Sequence, residues 1–238
     1  MRLLCFDLDG VIADSTIPIT TCINRALRDL DLPTRPPEAL VQFIGPPLIQ
    51  TFESIVAAAG ADLKLAARCI DRYHQHYATE SLLTTRPYPG VGELLSQLAA
   101  RDELIVVTSK PAEAALPILD HLNVHHLFAA VHAPALDALA EPKAVTLRRA
   151  LLDRAADPAA TVMVGDRHHD IDAGRECGVQ TIGVLWGFGS RSELERAGAH
   201  HLAGSPDQLA ELLIPTAPAP SHRDSPHRVP GKLSNRLT

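Results

Sequence analysis

From Tyr88 to Leu213 the chain alternates short apolar runs with amphipathic stretches, and this alternation restricts the fold more than any other feature. Candidate strands lie at 103–108, 128–132, 160–164, 180–184 and 200–202. Helical runs at about 90–100, 112–122, 142–155, 168–176, 191–197 and 206–213 separate them. Strands that alternate with helices imply right-handed crossovers, hence an α/β fold with a doubly wound, mainly parallel sheet. Another apolar run, Leu3, Leu4, Cys5 and Phe6, opens the chain, but residues 14–86 follow it and read as helical. Ile19, Cys22, Ile23, Ala26, Leu27 and Leu30 recur three and four apart, as one face of a helix does. Further helical patterns at 46–58 and 62–83 are punctuated by Gly60 and Asp62. The simplest organisation inserts 14–86 between the first strand and the rest of the sheet. The core is then 1–13 with 87–214, and Pro87, Pro89 and Gly90 mark a hinge at the return.

The chemistry-bearing residues cluster where such a sheet places its ligands. The first strand delivers Asp7 and Asp9 into a turn marked by Gly10. Side chains two apart in a strand point the same way, and two like charges so close need a cation or a proton between them. A calcium loop starting at Asp7 requires a glycine at its sixth position and a glutamate at its twelfth, where this chain has Ile12 and Pro18. Further on, LIVVTS ends in Thr108 and Ser109, Lys143 opens KAVTLRRAL behind Pro142, and TVMVGDRHHD supplies Asp166 and Asp170. Asp7, Thr108 and Asp166 all fall at the carboxyl ends of candidate strands, outside which open parallel sheets bind ligands. A spacing of four puts Asp166 and Asp170 on one face if a helix begins there. Carboxylates of this kind suit Mg²⁺, a hard ion that often bridges to phosphate oxygens.

FDLDGVIADS (6–15) resembles the first motif of the haloacid dehalogenase superfamily, DxDx[TV]. The other three motifs of that superfamily are matched in order by Thr108 and Ser109, by Lys143, and by Asp166 with Asp170. The likeness covers roughly residues 1–214. It is closest to the phosphoglycolate phosphatase-like branch through FIGPPL (43–48), TSKP (108–111) and TIGVLWGFGS (181–190). The resemblance implies a Rossmann-like core with an inserted α-helical cap of the C1 type over residues 14–86. It also implies a Mg²⁺-dependent phosphomonoester hydrolase working through an aspartyl-phosphate. By the same resemblance Asp7 is the nucleophile and Asp9 the acid/base, which spacing alone does not distinguish. Asp7, the Asp9 carbonyl and Asp166 would hold Mg²⁺, while Asp170 binds it directly, through water, or orients its neighbours. Thr108, Ser109 and Lys143 would contact the phosphoryl group, with Lys110 the runner-up to Lys143. His168 and His169 occupy positions that the family leaves variable. The expected partner is a small phosphorylated metabolite, phosphoglycolate first and a nucleoside monophosphate second. Val11 is also how β-phosphoglucomutases read, so a phosphosugar mutase is the alternative, followed by a non-catalytic binding module on the same fold. A dehalogenase would dispense with the metal-binding acids retained here. Gly45-Pro46-Pro47 forms a rigid corner facing either the substrate or only the next helix, and Trp186 and Phe188 are placed near the rim.

The net charge of −6 offers no basic surface for nucleic acid. No apolar run approaches the ~20 residues that span a bilayer, and the first residues enter a strand at once, so a cytoplasmic protein without a leader is expected. Cys5, Cys22, Cys69 and Cys177 are scattered with no CxxC spacing, which points to reduced thiols. Residues 215–238 carry five prolines, four basic residues and one acid with few large apolar side chains, and read as a disordered tail.

Overall fold

A computed structural model describes residues 1–135 and 141–214, so the expected tail lies outside the described residues. The chain opens with β1 (Leu3–Phe6) and the two-residue β2 (Ala13–Asp14). Four helices follow: α1 (Thr16–Arg28), α2 (Pro37–Leu40), α3 (Leu48–Ala58) and α4 (Leu65–Thr84). The return runs through β3 (Arg86–Pro87) into α5 (Val91–Ala99), β4 (Glu103–Val107), α6 (Ala112–His121) and β5 (Ala130–His132). Next come α7 (Lys143–Asp153), β6 (Thr161–Gly165), α8 (His168–Glu176) and β7 (Gln180–Val184). The described part closes with α9 (Arg191–Ala197), β8 (His201–Ala203) and α10 (Pro206–Leu213).

Six strands form one parallel sheet in the order β5-β4-β1-β6-β7-β8. The continuous apolar character of β1 follows from its place in the middle of that sheet, covered on both faces. Leu4 and Phe6 join the larger core cluster on one face, and Leu3 and Cys5 join the α7 side on the other. Strand β4 divides in the same way, Leu104 and Val106 against Ile105 and Val107. Full burial of such side chains contributes roughly 1.5–3 kcal/mol each. Of the four cysteines, Cys5, Cys22 and Cys69 are buried, and all four are free thiols. Among the described residues no helix is long and apolar enough to cross a membrane.

The helical cap is the block α1–α4. Its α1 buries Ile19, Cys22, Ile23, Ala26 and Leu27 on the face that the periodicity marks. Its entry and exit are tied together by β2 and β3, which pair antiparallel, Ala13 with Pro87 and Asp14 with Arg86. Nothing in the sequence signals this two-residue ribbon, because each strand is too short to carry a pattern. Helix α8 begins at His168, so Asp166 precedes it in the connecting loop and does not share a helical face with Asp170.

Candidate active site

The carboxyl ends of β1, β4 and β6 meet beneath the cap. Asp7 extends the ladder by one bond, its amide donating to the Val164 carbonyl at 3.0 Å. The turn after it depends on Gly10, at φ +85°, which lies directly against the Asp166 carboxylate. Any Cβ there would collide with that carboxylate and would have to adopt a backbone region that L-residues avoid.

Asp7, Asp166 and Asp170 converge, each offering an oxygen within 4.8 Å of the others, all three buried. Lys143 Nζ reaches Asp7 at 2.8 Å and also pairs with Asp170. A lysine at the first residue of a helix opposes the helix dipole, and these two acids offset that cost. Burial favours the neutral form of Asp7, and Asp170 adds to this, so its pKa rises to about 6 although Lys143 opposes the shift. Burial first, then Asp170 and Asp7, push Asp166 well above the carboxylate range. For Lys143 burial acts against the charge, but Asp170 and Asp7 outweigh it and hold the ammonium firmly. One ammonium among three buried carboxylates leaves net negative charge.

The three acids differ in what they have left to offer. Asp170 Oδ2 accepts from the Asp166 and Arg167 amides at 3.1 and 3.0 Å, and its Oδ1 takes Lys143, so both its oxygens have protein partners. Asp166 Oδ2 accepts from the Phe188 amide at 2.7 Å, whereas Asp166 Oδ1 is buried with no partner. An orphaned carboxylate oxygen in an acid-rich pocket is a site for a cation, and an all-oxygen donor set fits a hard one such as Mg²⁺. Gly187 is what lets this loop approach, since a side chain there would meet both Asp166 and the Gly10 carbonyl.

Asp9 takes a different direction. Its carboxylate is not in the three-acid group but pairs with Lys110 at 3.0 Å and accepts from Ser15 Oγ. Lys110 Nζ also donates to the Tyr77 hydroxyl at 2.6 Å and sits 4.3 Å above the centroid of that ring, so a core lysine joins Asp9 to the cap helix α4. Burial opposes this ammonium too, but Asp9 and then Tyr77 outweigh it. Thr108 is buried, its Oγ1 accepting from the Lys110 amide at 3.1 Å. Lys143 thus serves the nucleophile candidate and Lys110 the acid/base candidate, a division of labour that the sequence left open.

Above these residues a cleft encloses about 930 Å³ of empty space, the open solvent at its mouth included. Asp7, Asp9, Thr108, Ser109 and Lys110 line its floor, and Gly45, Pro46 and Pro47 line its wall. The proline corner therefore faces the cleft and also leads into α3. Trp186 donates to the Val11 carbonyl at 3.1 Å, and Phe188 acts through its backbone. Arg167, unremarked in sequence, donates to the cap carbonyl of Ile44 at 2.5 Å and to Glu193 at 2.8 Å. His168 is engaged with the same Glu193 at 2.9 Å, and Arg167 and His168 hold that acid down at about 2 against the effect of burial.

Residues 4–184 match the haloacid dehalogenase-like hydrolase family. A 5'-nucleotidase from Pseudomonas aeruginosa is 32% identical over 211 residues, 88% of this chain and 94% of that protein. The tyrosine-protein kinase PtkA of Mycobacterium tuberculosis is 30% identical, over 89% of this chain and 72% of its own. Phosphoglycolate phosphatases are also among the relatives. Among solved structures, a predicted phosphatase from Clostridium acetobutylicum superposes with a TM-score of 0.83 at 30% identity, covering 90% of this chain and 98% of that one.

Proposed function

This chain belongs to the haloacid dehalogenase-like hydrolases and is a phosphoric monoester hydrolase, and we propose that it acts on a small phosphorylated metabolite through an aspartyl-phosphate, with Mg²⁺ as its metal. The observation that carries this reading is the buried group of Asp7, Asp166 and Asp170 around a single ammonium, with Asp166 Oδ1 left unpartnered. Asp7, the Asp9 carbonyl and Asp166 would hold the metal, and Asp170 would orient Lys143 and the Asp166 loop. When bound, Mg²⁺ supplies positive charge to the phosphoryl oxygens and keeps Asp7 ionised.

A carboxylate oxygen of Asp7 attacks phosphorus, and the bond to the leaving oxygen breaks as Asp9 gives that oxygen its proton. Water then attacks the same phosphorus, Asp9 takes back a proton, and the bond to Asp7 breaks to release phosphate. Thr108, Ser109 and Lys143 orient and neutralise the transferring group throughout. The cap, residues 14–86 in this reading, covers the floor and excludes water from the first step. The decisive experiment is release of inorganic phosphate from p-nitrophenyl phosphate, a generic monoester, with Mg²⁺ present, and loss of that release in EDTA. Persistent release in EDTA would contradict the metal assignment.

The acids make the metal-free fold pH-sensitive. Asp7 titrates near 6 in the fold but near 3.8 when exposed. Its contribution to stability is therefore full below 3.8 and lost as pH rises through about 6, and Asp166 acts in the same direction. Melting in EDTA should fall as pH rises from about 4 through about 6, and the rise on adding Mg²⁺ should grow over that interval. An increment from Mg²⁺ that is independent of pH would argue that the ion binds elsewhere.

Substrate choice is assigned to the cap, since the floor meets only phosphate and metal. Pro46→Ala and Pro47→Ala should shift the ratio of kcat/KM between two substrates by more than they change Mg²⁺ affinity. A fixed ratio with collapsed metal affinity would mean that the corner supports the metal site instead.

A further inference from the structure

The chemistry of the cleft beyond the phosphoryl site limits what the leaving group can carry. Its lining among the described residues includes a single permanently cationic side chain, Lys110. That ammonium is already shared between Asp9 at 3.0 Å and the Tyr77 hydroxyl at 2.6 Å, with the Tyr77 ring beneath it. With two of its three N–H donors engaged, a second anionic group on a substrate would have to compete for this charge with Asp9, the group assigned to the leaving oxygen. Residues 136–140, which follow the wall residue Pro134, contain no Lys, Arg or His in sequence.

Much of the remaining lining is apolar, and its other polar side chains are neutral or acidic. Phe43, Pro46, Pro47, Leu48 and Ala114 present hydrocarbon, and Glu141 adds a negative charge held by Arg149 and Thr146. His74 also lines the cleft and makes no hydrogen bond with the described residues. Burial lowers its pKa, so at neutral pH it is a neutral donor or acceptor. Near the floor, Asp7, Asp9, Asp166 and Asp170 are balanced by Lys110, Lys143 and the Mg²⁺ assigned above, which leaves no surplus positive charge for a second anionic group.

Resting on the hydrolase reading above, we propose that the substrate is a phosphomonoester whose leaving group is uncharged and ring-bearing, of the nucleoside type. It is not one that carries a second anionic group such as the carboxylate of phosphoglycolate. Phe43 and the Pro46-Pro47-Leu48 segment hold the ring by apolar contact, and His74 is its hydrogen-bonding partner. A carboxylate in such a wall loses its hydration and gains no cationic partner, whereas a neutral ring loses little on entry.

The test measures kcat/KM on uridine 5′-monophosphate and on 2-phosphoglycolate, with acetyl phosphate, whose leaving group is too small to engage the wall, as the reference. The expected result is turnover of acetyl phosphate and a preference for the nucleotide over phosphoglycolate of at least about tenfold. Acetyl phosphate turnover with phosphoglycolate equal to or better than the nucleotide overturns the inference and leaves the hydrolase reading standing. Absence of turnover on all three overturns both. Leu48→Arg, which adds a cation to the same wall, should move the preference toward phosphoglycolate by about tenfold. An unmoved ratio in a folded, acetyl phosphate-active Leu48→Arg protein also counts against it.

Discussion

Asp7→Asn should abolish phosphate release while leaving the fold as stable as the parent or more so. The carboxamide is nearly isosteric but is not a nucleophile, and removal of a nucleophile typically costs on the order of 10⁴–10⁶-fold in kcat. The stability half of the expectation comes from burial. Asp7 is buried deeply enough to be pushed up to about 6 despite Lys143, so its ionised form strains the metal-free fold at neutral pH. Replacing it by a neutral amide removes that strain, and Lys143 keeps Asp170. Steady-state kinetics on acetyl phosphate and a melt in EDTA at pH 8 measure the two halves. A kcat within tenfold of the parent would show that another group attacks phosphorus.

Lys143→Met should be the more damaging change to the fold. Methionine replaces the aliphatic stem but removes the ammonium on which Asp7 and Asp170 depend. Leaving buried charge uncompensated typically costs about 3–5 kcal/mol. The cost should depend on pH. At pH 5 Asp7, whose pKa the loss of Lys143 raises further, protonates and relieves part of it, whereas at pH 8 less of the excess negative charge is relieved. Urea titrations in EDTA at the two pH values separate this from a packing defect, which would be the same at both.

The parts legible in the sequence are those that rest on local pattern. Alternation places β4, β6 and β7 to within a residue or two, because a strand buried on both faces must be apolar throughout. The face of α1 is legible for the complementary reason that only one side of it is covered. Asp7, Thr108 and Asp166 stand out because each follows such a strand, and the fold brings those strand ends together. What escapes is contact between distant segments. Nothing near Lys110 announces Tyr77 and nothing near Arg167 announces Ile44, since both contacts depend on where the cap rests on the core, while Arg167–Glu193 depends on how α9 packs beside α8. The supports of Asp166 escape for another reason. They are a backbone amide at Phe188 and bare glycines at 10 and 187, which leave no side-chain signature. Of these only the glycines leave a trace, Gly10 in the turn after Asp9 and Gly187 in the GFG run after β7.

The central place of β1 has a consequence for how the chain is made. Leu3 pairs with Glu103 on one side and with Thr161 on the other, so β1 emerges before both neighbours, with one edge open until β4 follows and the other until β6 does. Loop closure over such separations must precede any gain from pairing, which slows folding, whereas the contacts among α1, α3 and α4 lie close in sequence and can form early. A nascent chain ending before Gly165 therefore carries a helical unit attached to a Leu3-Leu4-Cys5-Phe6 strand with at least its β6-side edge open. That strand is a template for mispairing with another chain, and synthesis through β6 is the step that removes the hazard.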